Sequence, residues 1–169
     1  MPRLILDTGP LLDLLLHRFW SEQGRSIDEN QLQCRKQFNV SPEQISKFLG
    51  RHQSIIVVPG VFVEVGHHAQ VQLGKATKQS GELPLAPFWR MVVRELRQMN
   101  VEERWISFVS LEQTLLEDFG PTDATLIRCA QETGEERMPI LTHDRSLHGR
   151  CRRLQISCKL TSELLGELY

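Results

Sequence analysis

Cysteine is scarce in this chain and poorly spaced for structural work. The 169 residues hold four, Cys34, Cys129, Cys151 and Cys158. No C-x-x-C pair and no companion histidine pattern points to zinc, so free thiols in a reducing compartment are expected. An excess of one charge is also missing, because 20 Lys+Arg stand against 21 Asp+Glu for a formal net charge of −1. That balance excludes coating of nucleic acid by bulk electrostatics and leaves room only for a local basic patch. Long apolar runs are absent too. A membrane-spanning helix needs roughly 18 apolar residues in succession, and the longest stretch, residues 55–65, is broken by Pro59, Gly60 and Glu64. Asp7 and Asp13 interrupt the apolar N-terminal stretch that a secretory signal needs. A cytoplasmic protein with no membrane partner is the expectation.

The length suits one domain over residues 1–169. Residues 3–6 are apolar and end in Asp7-Thr8-Gly9-Pro10, with a leucine-rich stretch at 11–16, the pattern of a buried strand, a sharp turn and a helix. Residues 20–40 are polar, leave helical pieces open, and are taken as an insertion. Ser41, Pro42 and Gln44 spell a helix start with a capping box, and Gly50 an end. Residues 54–58 carry consecutive β-branched side chains, as a strand covered on both faces does, and Pro59-Gly60 opens the next helix. Residues 72–86 hold Gly74, Gly81 and Pro84 and are expected to form a mobile loop. A helix over 88–99, a strand over 105–109 and a helix over 111–119 follow, the last stopped by Gly120-Pro121. Thr122 then caps a helix from 123 to about 132, with Gly134 after it. A strand at 138–142, a short helix or turn at 145–150 and a strand at 155–160 complete the chain. Strands alternating with helices predict an α/β fold whose mostly parallel sheet has four or five strands.

Four acids fall at positions that such a sheet brings together. Asp7 ends the first strand, Glu64 lies one turn into the helix after the second, Asp123 opens a helix, and Asp144 follows a late strand. They are 57, 59 and 21 residues apart in sequence, yet strand C-termini and the helix N-termini that follow them share one edge of a parallel sheet. Helix N-termini favour negative charge by about 0.3–1 kcal/mol each. Two carboxylates 4 Å apart repel by about 4 kcal/mol at an effective dielectric of 20. The dipoles cannot offset several such pairs, whereas a bound divalent cation can. Carboxylate-only ligation selects hard ions, Mg²⁺ or Mn²⁺, and hard ions on an acidic edge suit phosphate chemistry.

These residues resemble the motifs of the PIN-domain nucleases. Leu4-Ile5-Leu6-Asp7-Thr8-Gly9-Pro10 resembles the first motif and Val57-Val58-Pro59-Gly60-Val61-Phe62-Val63-Glu64 the second. Thr122-Asp123-Ala124-Thr125-Leu126-Ile127 resembles the third and Leu141-Thr142-His143-Asp144-Arg145-Ser146-Leu147 the fourth. All four occur in order and span most of the chain. The resemblance implies a Rossmann-like three-layer α/β/α fold. It implies an endoribonuclease in which Asp7, Glu64, Asp123 and Asp144 hold Mg²⁺ or Mn²⁺, leaving 5′-phosphate and 3′-hydroxyl ends. Thr8 would orient Asp7 or water at the metal, and Thr142 would support Asp144. Many small relatives of this kind are VapC-like toxins, so an antitoxin protein and a homodimer are implied partners. Residues 20–40 and 72–86 exceed the compact toxin form. The alternative from another class is a catalytically inactive PIN-like module that binds RNA or protein.

Other chemistries lack their residues. Gly9 stands where a haloacid-dehalogenase-type phosphatase needs a second Asp. No G-x-G-x-x-G, P-loop or G-x-S-x-G sequence occurs. A flap-type DNA nuclease would need a helical arch that this length does not offer. His67 and His68 match no motif and are expected in packing or at the surface, and His143 in a neutral loop role. Arg145, Arg150, Arg152 and Arg153, with Lys75 and Lys78, are expected to contact RNA backbone.

Overall fold

A computed structural model describes residues 3–25, 32–76, 85–132 and 138–166. Its sheet is built on strands with almost no polar face. In β1 (Arg3–Leu6) every residue after Arg3 is buried, and β2 (Ser54–Val57) and β4 (Ile140–Thr142) are buried throughout. Unbroken burial is what a parallel sheet covered on both faces requires. β3 (Val101–Glu103) and β5 (Cys158–Leu160) are less buried and form the two edges, in the order β3-β2-β1-β4-β5. All four pairings are parallel, with Ile5 of the central strand beside both Ile56 and Ile140. Helices α1 (Thr8–Glu22), α2 (Gln33–Phe38), α3 (Pro42–Leu49), α4 (Pro59–Ala76), α5 (Leu85–Gln98), α6 (Gln113–Gln131) and α7 (Arg145–Arg153) flank it. The architecture is α/β, consistent with a Rossmann-like three-layer fold. Among the described residues no helix is long and apolar enough to cross a membrane.

The chain builds outward from β1 to β2 and β3, then returns to add β4 and β5 on the other side. The strand order therefore reverses between β1 and β4. A parallel sheet opens a crevice beyond the carboxyl ends of its strands at such a point. Asp7 and His143 directly follow the two strands that flank it.

Several local expectations hold in detail. Ser41 caps α3 with both bonds of the capping box, Gln44 N–H to Ser41 Oγ at 3.2 Å and Ser41 N–H to Gln44 Oε1 at 2.8 Å. Four others need correction. The strand expected at 105–109 lies at Val101–Glu103 instead. β2 ends at Val57, which pairs with Glu103 and accepts Arg104 N–H at 3.0 Å, so the chain beyond has no strand to join. Trp105 and Val109 are 76% and 94% exposed there. The loop expected over 72–86 is helical at both ends, since α4 continues to Ala76 and α5 begins at Leu85. The reason is a fully buried stripe of Val61, Val65, Ala69 and Leu73 at four-residue spacing. Residues 77–84, with Lys78, Gly81 and Pro84, lie outside the described residues, as does Gly134.

The described part of 20–40 is not polar throughout either, and residues 26–31 lie outside the described residues. α1 runs on to Glu22, and Leu32, Cys34, Phe38 and Val40 are core residues. Lastly, the break at Gly120-Pro121 is present but as a kink within α6, with Gly120 at φ 75°, ψ 172°. Pro121 starts the second half, so Thr122 sits inside it and does not cap it; Thr122 O accepts from Thr125 Oγ1 at 2.7 Å.

The backbone at Gly120 occupies a region essentially reserved for glycine. Gly120→Ala is expected to cost about 1–3 kcal/mol of unfolding free energy, measured by urea denaturation. Unchanged stability would show that the kink relaxes freely.

Candidate active site

Asp7 directly follows β1 and is the N-cap of α1, and it is 7% exposed. Its Oδ1 accepts Thr8 N–H at 2.6 Å and its Oδ2 accepts the Thr142 hydroxyl at 2.6 Å. Burial raises its pKa above the ordinary carboxylate value despite those two bonds, and the Glu64 charge adds to the rise. Thr142 also accepts Asp144 N–H at 2.8 Å, so one hydroxyl joins the ends of β1 and β4. It thus supports Asp144, as the resemblance implies, and Asp7 as well. Thr8 bonds two of the acids. Its backbone N–H serves Asp7, but its hydroxyl donates to Glu64 Oε2 at 2.8 Å.

Two close approaches bring the remaining acids in. A Cβ at Gly9 would stand 2.8–2.9 Å from the His143 side chain, and one at Gly60 would stand 2.9 Å from Thr122 Oγ1. The bare backbone at these points lets α1 approach the turn after β4, and lets the first turn of α4 seat on α6 beside Asp123. Glu64 and Asp123 are both half-buried. Burial first, then the charges of Asp7, Asp144 and Glu64, push the Asp123 carboxyl up to about 7, while Arg150 acts weakly in the opposite direction. The three named neighbours are the other acids of the sequence motifs. Asp144 is exposed and caps α7, its Oδ1 accepting Ser146 N–H at 2.6 Å and Leu147 N–H at 3.2 Å.

All four acids and Thr8 line one cleft of about 470 Å³, with Arg145 at the same opening. Among the described residues, no three Asp, Glu, His or Cys side chains already stand as a coordination shell. Glu64 is engaged by Thr8, and Asp144 Oδ1 by its own helix. The donor chemistry still fits a hard divalent ion, since every carboxylate facing the cleft offers oxygen alone. An ion there would require Asp123 to ionise and Glu64 or Asp144 to turn.

Several cleft residues carry no motif signal. His68 and Gln72 follow Glu64 at four-residue spacing along α4, and Gln33 and Gln37 enter from α2. The helical periodicity from Glu64 was the available signal for the first pair. His68 and its neighbour His67 are exposed, in ring contact at 5.6 Å. His143 is not a neutral loop residue but is buried in a polar network. Its Nε2 meets Asp13 Oδ2 at 3.0 Å and its Nδ1 meets Thr161 Oγ1 at 2.7 Å. Of the basic residues, Arg145 reaches the cleft. Arg150 and Arg153 line a separate groove, where Arg150 lies 5.1 Å over the Phe119 ring and donates to Asp118 O.

Asp123 is expected to titrate near 7 in carboxyl-carbon NMR, and Glu64→Gln should lower that midpoint by removing one repelling charge. A folded-state value above the unfolded one means the native state binds more protons across the interval. Stability should therefore fall as pH rises from about 3.8 to about 7. An Asp123 midpoint near the ordinary value would contradict the clustering.

No family model matches the chain, and no curated protein matches it. Among solved structures it is similar to a domain of a functionally unknown protein from Methanocaldococcus jannaschii. The two share 16% identity over 95% of this chain and 91% of that one, with a TM-score of 0.44.

Proposed function

We propose that this chain is a Mg²⁺- or Mn²⁺-dependent endoribonuclease that hydrolyses RNA phosphodiester bonds in the cytoplasm. The observation that carries the reading is the meeting of Asp7, Glu64, Asp123 and Asp144 in one cleft at the reversal point of the sheet. Asp123 is held there at a raised pKa by burial first and then by the charges of the other three. Acids gathered against their own repulsion are the cost of a site made for positive charge. RNA is the substrate class that the four-motif resemblance implies, with an antitoxin-type protein and a second copy of the chain as implied partners.

Asp7, Glu64 and Asp123 would hold the ion and Asp144 would complete the set. When bound, the ion activates water, polarises the phosphoryl oxygen and stabilises the leaving oxygen. The protein's own contribution is orientation. Thr142 and the Thr8 amide leave the Asp7 carboxylate little freedom to rotate, and the Thr8 hydroxyl sets Glu64. Asp144 fixes the start of α7 and so places Arg145, whose guanidinium sits 5.7 Å from the Phe38 ring. Arg145 is suited to grip a phosphate oxygen pair in bidentate fashion. Protons and cations compete for Asp123, so activity should rise with pH through about 7.

RNA hydrolysis should require Mg²⁺ or Mn²⁺ and cease with a chelator. Asp7→Asn should keep the fold, judged by circular dichroism, and abolish cleavage. Thr142→Val, which removes the hydroxyl behind Asp7, should lower the single-turnover rate by about 10–100-fold. Full cleavage by Asp7→Asn, or cleavage indifferent to chelator, would defeat the reading.

Arg145→Ala should weaken RNA binding and flatten its dependence on salt. An unchanged salt slope would remove Arg145 from the phosphate path.

A further inference from the structure

The acids line only part of the cleft, and three side-chain amides line it with them. Gln33 and Gln37 come from α2 and Gln72 from α4. A primary amide is uncharged and offers two donors and an acceptor in one plane. Phosphate is better matched by guanidinium, which Arg145 already supplies. Donors and acceptors side by side match the edge of a nucleobase.

The α2 rim is also rigid, as a reading surface must be. Asp13, 1% exposed, accepts Cys34 N–H at 2.6 Å and Gln33 N–H at 3.2 Å, and meets His143 Nε2 at 3.0 Å. Phe38 packs on the His143 ring at 5.3 Å, and Leu32, Cys34 and Phe38 anchor the inner face of α2 in the core. His143 sits between Thr142 and Asp144, so the amide rim and the acidic floor share one hydrogen-bonded framework. The exposed glutamines are thus carried on a fixed helix at a fixed offset from the acids.

We propose that Gln33 and Gln37 read the base edge of an unpaired nucleotide adjoining the phosphodiester held over the acids. The inference rests on the nuclease reading for the phosphodiester, but base recognition itself needs no hydrolysis. Side chains cannot enter the deep groove of an A-form duplex, whereas the base edges of single strands are open to them. A cleft that reads bases through side-chain amides therefore selects unpaired RNA, and its sequence preference resides on α2.

The test uses four short unpaired RNAs that differ in one base. Binding is followed by fluorescence anisotropy in a calcium buffer, and hydrolysis of the same RNAs is followed in magnesium. The wild-type chain should rank the four bases over roughly 10-fold in binding. The double variant Gln33→Ala, Gln37→Ala should collapse that ranking, while Lys36→Ala, on α2 but outside the cleft lining, should keep it. No base ranking by the wild-type chain, or a ranking that survives in the double variant, would overturn the inference. A ranking in binding that the double variant loses, together with no hydrolysis by the wild-type chain, would uphold the inference and count against the nuclease reading alone.

Discussion

Beyond the last backbone bond of their ladder, Asp7 N–H to Leu141 O at 3.1 Å, the ends of two neighbouring parallel strands are tied by one side-chain hydroxyl. Thr142 Oγ1 donates to Asp7 Oδ2 and accepts Asp144 N–H, while Thr142 O accepts the hydroxyl of Thr161. Thr142 is fully buried, and Asp7 nearly so. A carboxylate in that setting is tolerated only when its oxygens are bonded. Removing the hydroxyl leaves Asp7 Oδ2 without this partner and frees the turn that starts α7. The cleft inherits its shape from this tie, because β1 and β4 are the strands between which the sheet order reverses.

Around that tie the chain accumulates negative charge. Each acid has a local reason for its backbone position: Asp7 and Asp144 cap helices, while Glu64 and Asp123 occupy the early turns of α4 and of the second half of α6. No local reason accounts for all four facing one space. Burial raises the pKa values of both Asp7 and Asp123, and the neighbouring carboxylates add to the rise, Glu64 at Asp7 and the other three acids at Asp123. The buried strands and the Val61-to-Leu73 stripe of α4 supply the apolar burial that lets the fold carry these acids. Carboxyls perturbed by burial and by one another in a cleft are a common mark of a functional site.

Much of this was legible in the sequence, for identifiable reasons. β1, β2 and β4 are continuous apolar runs, Ser41-x-x-Gln44 spells its own capping box, and Gly120-Pro121 marks its own kink. Asp7 and Asp144 stood out because they follow strand ends, where a parallel sheet gathers them, Glu64 because it lies one turn into the helix after β2, and Asp123 because it follows the Gly120-Pro121 break. The edge strand did not stand out. Val101–Glu103 is a strand only because β2 runs beside it, whereas the more apolar residues 105–109 have no partner. The long extent of α4 was obscured by Gly74 and nearby polar residues, although Leu73 completes its buried stripe. Asp13 and His143 could not be paired from sequence, since 130 positions separate two groups that meet at 3.0 Å. The glutamines of α2 were hidden within a stretch whose order depends on that pair.

The central claim is that these four carboxylates form a site for a hard divalent cation, and calorimetric titration with Mn²⁺ tests it most directly. The wild-type chain should bind Mn²⁺, Mg²⁺ should compete, and Asp7→Asn, folded by circular dichroism, should lose the binding heat. Absence of Mn²⁺ binding by the wild-type chain, or equal binding by Asp7→Asn, would contradict the account.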